Sequence, residues 1–239
     1  MHNTLLLLII SLFLAFKPAN ADTLNEPRIV NVAETELGDS QRLSRKSAVK
    51  IITPLGGHGS GTYVKVNGVF GILTAGHVAD QEGVYLIKTE HEMSFAYRAW
   101  KSRDGDVAFL VLNERFKGAS FIRLSNYRDP PIGAQLTYTG CPSSYEFLTI
   151  TGRLAGFTEL QWGENVERML LMNGFAWFGS SGSGIITNSG DLVGVLSAVA
   201  LEEFYGHPQI LETLIYIQPI TTEHVKEIKD AVAKIKGKK

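Results

Sequence analysis

From residue 48 onward the chain is a succession of short runs rich in Val, Ile, Leu, Thr and aromatic residues, each closed by Gly, Asn, Asp or Pro. Runs at residues 48–52, 62–66, 69–74, 84–88, 94–100 and 107–112 form a first set. A connector over residues 115–129 leads to a second set at 135–139, 147–155, 168–172, 184–187, 192–199 and 213–217. Such residues suit a pleated, half-buried surface, and turn signals at this spacing predict an all-β barrel or sandwich rather than βαβ units. Asn67-Gly68, between the second and third runs, is the pair favoured by a type I′ hairpin turn, where both central residues need positive φ. Only the end changes period. After Pro219, the residues Val225, Ile228, Val232 and Ile235 recur at intervals of 3, 4 and 3, one face of a helix over residues 221–239. Thr221 or Thr222 caps it, Glu223 suits its first turn, and Lys234, Lys236, Lys238 and Lys239 suit the negative end of its dipole. These lysines read as a solvated helix end rather than a membrane or nucleic-acid patch.

The first residues stand apart from this pattern. Residues 5–16 are continuously apolar or small but too short to span a bilayer comfortably. Lys17-Pro18 and then Ala19-Asn20-Ala21 follow, which marks residues 1–21 as a signal peptide cut before Asp22. The segment before the apolar run has no Lys or Arg, so a retained anchor is the competing reading. No later segment has the length or apolarity of a transmembrane helix. An exported protein, periplasmic or secreted and without stable membrane insertion after cleavage, is expected. Residues 22–46 are polar and aperiodic and read as an exposed arm. The 23 basic and 24 acidic residues leave a net charge of −1, which offers no general field for nucleic acid. Cys141 is the only cysteine, so stability must come from core packing and not from an intrachain disulfide. With Pro142 beside it and no histidine nearby in sequence, Cys141 is not read as a nucleophile. His91, His207 and His224 lack metal-ligand spacing, and neither a metal nor another cofactor is expected.

Candidate chemistry sits in three segments. Gly179-Ser180-Ser181-Gly182-Ser183-Gly184 is a glycine turn that can offer a hydroxyl and backbone N–H groups to one point, as a serine nucleophile with an oxyanion hole requires. His77 follows an apolar run and the small turn Thr74-Ala75-Gly76, at a strand end. Asp106 opens the apolar run 107–112, at the border of the core. A serine hydroxyl needs a base, and a histidine needs a carboxylate to hold its tautomer. Asp104 is a second choice for the acid, and Ser180 or Ser183 for the nucleophile. His58 reads as an exposed loop histidine. The order His–Asp–Ser, at separations of 29 and 75 residues, differs from that of α/β-hydrolases and of subtilisin, and points to a double β-barrel.

These motifs resemble the trypsin-like serine peptidases of the chymotrypsin clan, and within it the disulfide-free bacterial HtrA/Deg-like and glutamyl-endopeptidase-like members. Gly59-Ser60-Gly61-Thr62, Thr74-Ala75-Gly76-His77-Val78, Asp106-Val107-Ala108-Phe109-Leu110 and Gly179-Ser180-Ser181-Gly182 carry the resemblance. Gly140-Cys141-Pro142 with Thr151-Gly152, and the segment from Gly190 to Val195, extend it over roughly residues 47–218. The resemblance implies a peptidase domain over residues 47–220, built of two packed six-stranded antiparallel barrels (about 47–118 and 130–220), with the helix after them. It implies His77 as general base, Asp106 as its orienting carboxylate, Ser181 as nucleophile, the N–H groups of Gly179 and Ser181 as oxyanion hole, and Ser197 behind the aspartate. The primary pocket falls between a segment beginning near Phe175 and the edge Ser197-Ala198-Val199. Neither offers a carboxylate, and Val199 narrows the pocket, so a small or medium apolar residue is expected at the cleavage position. Ser183 and Gly184 replace the family's glycine and proline and are expected to loosen the turn. Ser180 replaces the aspartate of trypsin-style activation, so Arg28-Ile29-Val30-Asn31 is not read as an activation site. Too little chain follows the barrels for a PDZ module. The function expected is a serine endopeptidase acting on protein or peptide substrates. A catalytically silent binding module is the alternative, and the sequence leaves the oligomeric state open.

Overall fold

A computed structural model describes residues 36–124, 128–143, 145–162, 165–204 and 207–237. The expected signal peptide and the arm as far as residue 35 lie outside the described residues. After helix α1 (Asp39–Ser47) come β1 (Ala48–Ile52), β2 (His58–Val66), β3 (Val69–Thr74), β4 (Val84–Lys88), β5 (Met93–Lys101) and β6 (Ala108–Leu112). They run in the order β1-β4-β5-β6-β3-β2, and β1 also pairs with β2, which closes a six-stranded antiparallel barrel. Asn67 and Gly68 both adopt positive φ (48° and 81°), the turn that their sequence predicts. The second barrel is closed by β8 (Gln135–Gly140), β9 (Leu148–Trp162), β10 (Asn165–Asn173), β11 (Gly184–Thr187), β12 (Leu192–Phe204) and β13 (His207–Pro219). Two closed six-stranded barrels and a C-terminal helix, α2 (Thr222–Lys236), make up the expected chymotrypsin-like architecture.

The uninterrupted apolar run of β6 has a geometric cause. Ala108, Leu110 and Leu112 point into the first barrel, while Phe109 and Val111 point the other way into a second cluster. That second cluster also contains Ile186, Leu192 and Val195 of the second barrel and Val225, Ile228 and Val232 of α2. Both faces of β6 are therefore buried, so alternation disappears. Asp106 stands two residues before this strand, which is buried along its whole length. The cap of α2 is Thr221, whose hydroxyl accepts the N–H of His224 at 3.1 Å.

Three features differ from the sequence-based expectation. The arm expected to be exposed ends in α1, whose face Ser40, Ser44 and Ser47 is buried. Ser44 Oγ lies 3.0 Å from Thr139 Oγ1, and Arg45 donates to the Phe147 carbonyl at 2.8 Å. The helix thus straps onto the second barrel before the first begins, through a serine stripe that hydrophobic periodicity cannot register. The connector holds a short strand, β7 (Ile122–Arg123), that adds parallel to β2, with Phe116 and Ile122 buried in the first half. Finally, β9, β12 and β13 are far longer than their apolar runs, because their outer ends pair as hairpins beyond the barrel wall.

Candidate active site

The pairing of Thr74 with Ala108 brings the turn after β3 beside the residue before β6. Asp106 receives the backbone N–H of His77 on Oδ1 at 2.8 Å, and His77 Nδ1 lies 2.8 Å from Oδ2. A carboxylate only accepts, so Nδ1 carries the proton and Nε2 keeps its lone pair. Ser197 Oγ donates to the same Oδ2 at 2.6 Å, and the N–H of Asp106 meets Gln218 Oε1 at 3.3 Å. Asp106 is the carboxylate that the ring meets, and Asp104 is not. The Asp106 side chain is 1% exposed, while that of His77 is 38% exposed. Burial pushes the His77 pKa down, but the charge and hydrogen bond of Asp106 outweigh it, and the net direction is upward. Burial pushes the Asp106 pKa up, yet His77 and Ser197 together hold it below its ordinary value. Gly76 packs closely here, and a Cβ on it would lie 3.1 Å from Asp106 Oδ1, a tight contact.

The glycine turn is fixed through its carbonyls. Phe178 C=O accepts from Ser143 N–H (2.6 Å), Gly179 C=O from Ser60 Oγ (2.7 Å), and Ser181 C=O from Ser60 N–H (2.8 Å). Ser180 C=O accepts both the N–H (3.1 Å) and the hydroxyl (2.7 Å) of Ser183. The N–H groups of Ser180 and Gly182 are used as well, by Trp177 C=O and Leu196 C=O. Within 179–184, only the N–H groups of Gly179 and Ser181 make no hydrogen bond among the described residues. Gly179 and Gly182 adopt φ of 96° and 90°. A Cβ on Gly182 would stand 2.1 Å from Thr74 Oγ1 and 2.2 Å from Ser60 O, so no other residue fits. Ser180 and Ser183 are fully buried, whereas Ser181 is partly open. Among the described residues no hydrogen bond joins Ser181 Oγ to His77.

The expected loosening at Ser183 and Gly184 is not what the structure contains. Ser183 adds a hydroxyl bond inside the turn, and Gly184 N–H donates to Thr62 Oγ1 at 2.8 Å. His58 is also placed differently from expectation. It is exposed but opens β2 rather than a loop, with Nε2 3.2 Å from Cys141 O. A Cβ on Gly179 would lie 2.5 Å from that nitrogen, so the ring borders the glycine turn. Burial, followed by the charge of Lys50, lowers its pKa. Cys141 is buried and its thiol is pushed up to about 12, an inert environment.

Of the expected pocket residues, Ala198 and Val199 are half-buried on β12, opposite Tyr216 and Ile215 of β13. Phe175 is 42% exposed, and its carbonyl accepts the Tyr138 hydroxyl. The pairing of β12 with β11 ends at Val195, so the edge beyond Leu196 carries no strand among the described residues. Two contributors were not singled out from the sequence. Ser60 has no sequence signal beyond its place in the Gly59–Thr62 motif, yet its buried hydroxyl links Cys141 N–H (2.8 Å) to Gly179 C=O. Gln218 is a buried amide at the end of an apolar strand, and that polarity was its one signal.

Similarity to known proteins agrees with this geometry. The family model described as "Trypsin-like peptidase domain" matches residues 59–195. No curated protein matches the chain. Two solved structures of Rv3671c from M. tuberculosis H37Rv are similar in fold. A serine-to-alanine mutant in an inactive form is 16% identical, with a TM-score of 0.62, covering 86% of this chain and 94% of that one. The Rv3671c protease in an inactive form is 17% identical, with a TM-score of 0.63, covering 85% and 96%. The family match takes in the segments of His77, Asp106 and Ser181 and more than half of the sequence, and the chain belongs to the trypsin-like peptidases, serine proteases of the chymotrypsin-like fold.

Proposed function

We propose that the protein is a serine endopeptidase that cleaves peptide bonds through an acyl-enzyme on Ser181. The observation that carries this reading is the pair of unused N–H groups, Gly179 and Ser181, in a turn whose other N–H groups from 179 to 184 are all engaged. Such donors cost nothing to reorganise when an oxyanion forms, and each is worth about 10²–10³ in rate in comparable sites. The Ser181 hydroxyl oxygen attacks the scissile carbonyl carbon as its proton passes to His77 Nε2. The tetrahedral oxyanion is held by the two N–H groups, and His77 returns the proton to the leaving amine. Water then repeats the sequence on the ester, with His77 again as base. Asp106 keeps Nδ1 protonated and balances the imidazolium, and Ser197 steadies the carboxylate from behind.

The half-buried Val199 on the pocket edge supports a small or medium apolar residue at the cleavage position. The apolar segment and Ala19-Asn20-Ala21 support export. Stopped-flow hydrolysis of a chromogenic ester tests the covalent step. A burst of one leaving group per Ser181, with the acyl adduct located there by mass spectrometry, is the expected result. A peptide library then reads specificity, and a profile dominated by Arg, Lys or Glu would overturn the pocket assignment.

A further inference from the structure

Ser183 stands where the family has glycine, and nothing in the reaction scheme uses it. Its surroundings show a specific fit. The residue is wholly buried, and its hydroxyl lies 2.7 Å from Ser180 O. The room for that hydroxyl comes from Gly140 at the end of β8, where a Cβ would fall 2.3 Å from Ser183 Oγ. Gly140 and Ser183, from two segments of the second barrel, are thus complementary in shape, the glycine leaving the space that the hydroxyl fills.

A trans peptide is planar, and its C=O and N–H point in opposite directions. Holding the oxygen of one peptide therefore aims the N–H of the same peptide. The Ser181 N–H shares its peptide with Ser180 C=O, the oxygen that takes both bonds from Ser183. The Gly179 N–H shares its peptide with Phe178 C=O, which Ser143 N–H holds at 2.6 Å. Each of the two unused donors is thus aimed by one anchored carbonyl. On the Ser181 side, the backbone bond is the longer of the two, at 3.1 Å, and the hydroxyl supplies the shorter.

We infer that Ser183 is a positioning residue whose hydroxyl locks the Ser180–Ser181 peptide and so aims the Ser181 N–H at the developing oxyanion. The inference rests on reading Gly179 and Ser181 as the oxyanion donors. Ser183 touches neither substrate nor the reacting atoms. Its contribution is made in the transition state, when charge collects on the oxygen that the N–H faces.

The test compares wild type, Ser183→Ala and Ser183→Cys, with folding checked by thermal melting. The alanine variant deletes the hydroxyl, and the cysteine fills its space with a weaker donor. For Ser183→Ala we expect kcat to fall about tenfold, less than the loss of a whole oxyanion donor, with KM within about twofold of wild type. A peptide aldehyde forms a hemiacetal whose oxygen occupies the same position, so its Ki should rise in parallel with the loss of kcat/KM. The cysteine variant should fall between the other two, and it carries the test if the alanine variant does not fold. Unchanged kcat and Ki in a folded variant, or a rise in KM alone, would overturn the inference. Normal wild-type turnover accompanying that result would leave the reading of the site intact. A wild type that neither turns over nor becomes acylated at Ser181 would remove the reading itself, and the inference with it.

Discussion

Asp106 grips His77 at two points, Oδ1 on the backbone N–H and Oδ2 on ring Nδ1, each at 2.8 Å. The first bond fixes where the turn lies and the second fixes which nitrogen carries the proton. Asp106→Asn should preserve the first and spoil the second, since an amide can present N–H to Nδ1 and favour the wrong tautomer. By analogy with other triads the loss in kcat is about 10⁴. Steady-state kinetics on a chromogenic peptide, with an unchanged melting profile, checks it.

The same pair sets the pH dependence. On the proposed mechanism His77 must be neutral to take the Ser181 proton, and Asp106 raises its pKa above 6.5 against the opposing effect of burial. The acid limb of kcat/KM should therefore have its midpoint above 6.5, with activity lost as pH falls through it. Stability runs the other way. A raised folded pKa on His77 contributes stability below 6.5 that is lost as pH rises through the folded value. The lowered pKa of Asp106 contributes stability above 3.8 that is lost as pH falls through its folded value. Between about 3.8 and 6.5 both contributions are present, so melting temperature should peak on the acid side of the activity optimum.

Ser60 anchors the glycine turn from the first barrel. Ser60→Ala leaves Cys141 N–H and Gly179 C=O without their buried partner. That should cost about 1–3 kcal/mol of stability and also lower kcat by loosening the turn. Denaturant melts and kinetics on the one variant separate the two effects.

Helix α2 offers a control. Ile228 is fully buried in the cluster between the barrels and lies on an element that carries none of the reacting groups. Ile228→Ala should cost about 2–5 kcal/mol through lost burial and the cavity left behind. Below the lowered melting temperature, kcat per active enzyme should stay close to wild type.

Much of this molecule was legible in the sequence, for identifiable reasons. Short β-type runs closed by Gly, Asn, Asp or Pro predict an all-β fold, Asn67-Gly68 predicts a hairpin, and the motifs around His77, Asp106 and Ser181 carry the resemblance that implies two barrels. Contacts made by small polar side chains were not legible. The α1 strap is held by serines, which leave no apolar period. The roles of Ser60 and Ser183 depend on which distant backbone groups they meet, Cys141 and Gly179 for one and the Ser180 carbonyl for the other. The outer ends of β9, β12 and β13 escaped notice because they leave the core, where burial no longer patterns the residues. At Ser183 a departure from the family motif read as weakness, but the facing Gly140 turns it into an added bond.

The central claim is that Ser181 is the nucleophile and His77 its base. A fluorophosphonate probe added to wild type, Ser181→Ala and His77→Ala, with mass-spectrometric mapping of the adduct, tests it most directly. Stoichiometric labelling at Ser181 in wild type, none in Ser181→Ala and a rate reduced by orders of magnitude in His77→Ala is the predicted result. Labelling that persists in a folded Ser181→Ala protein, or a folded wild type that never labels at Ser181, would contradict the account.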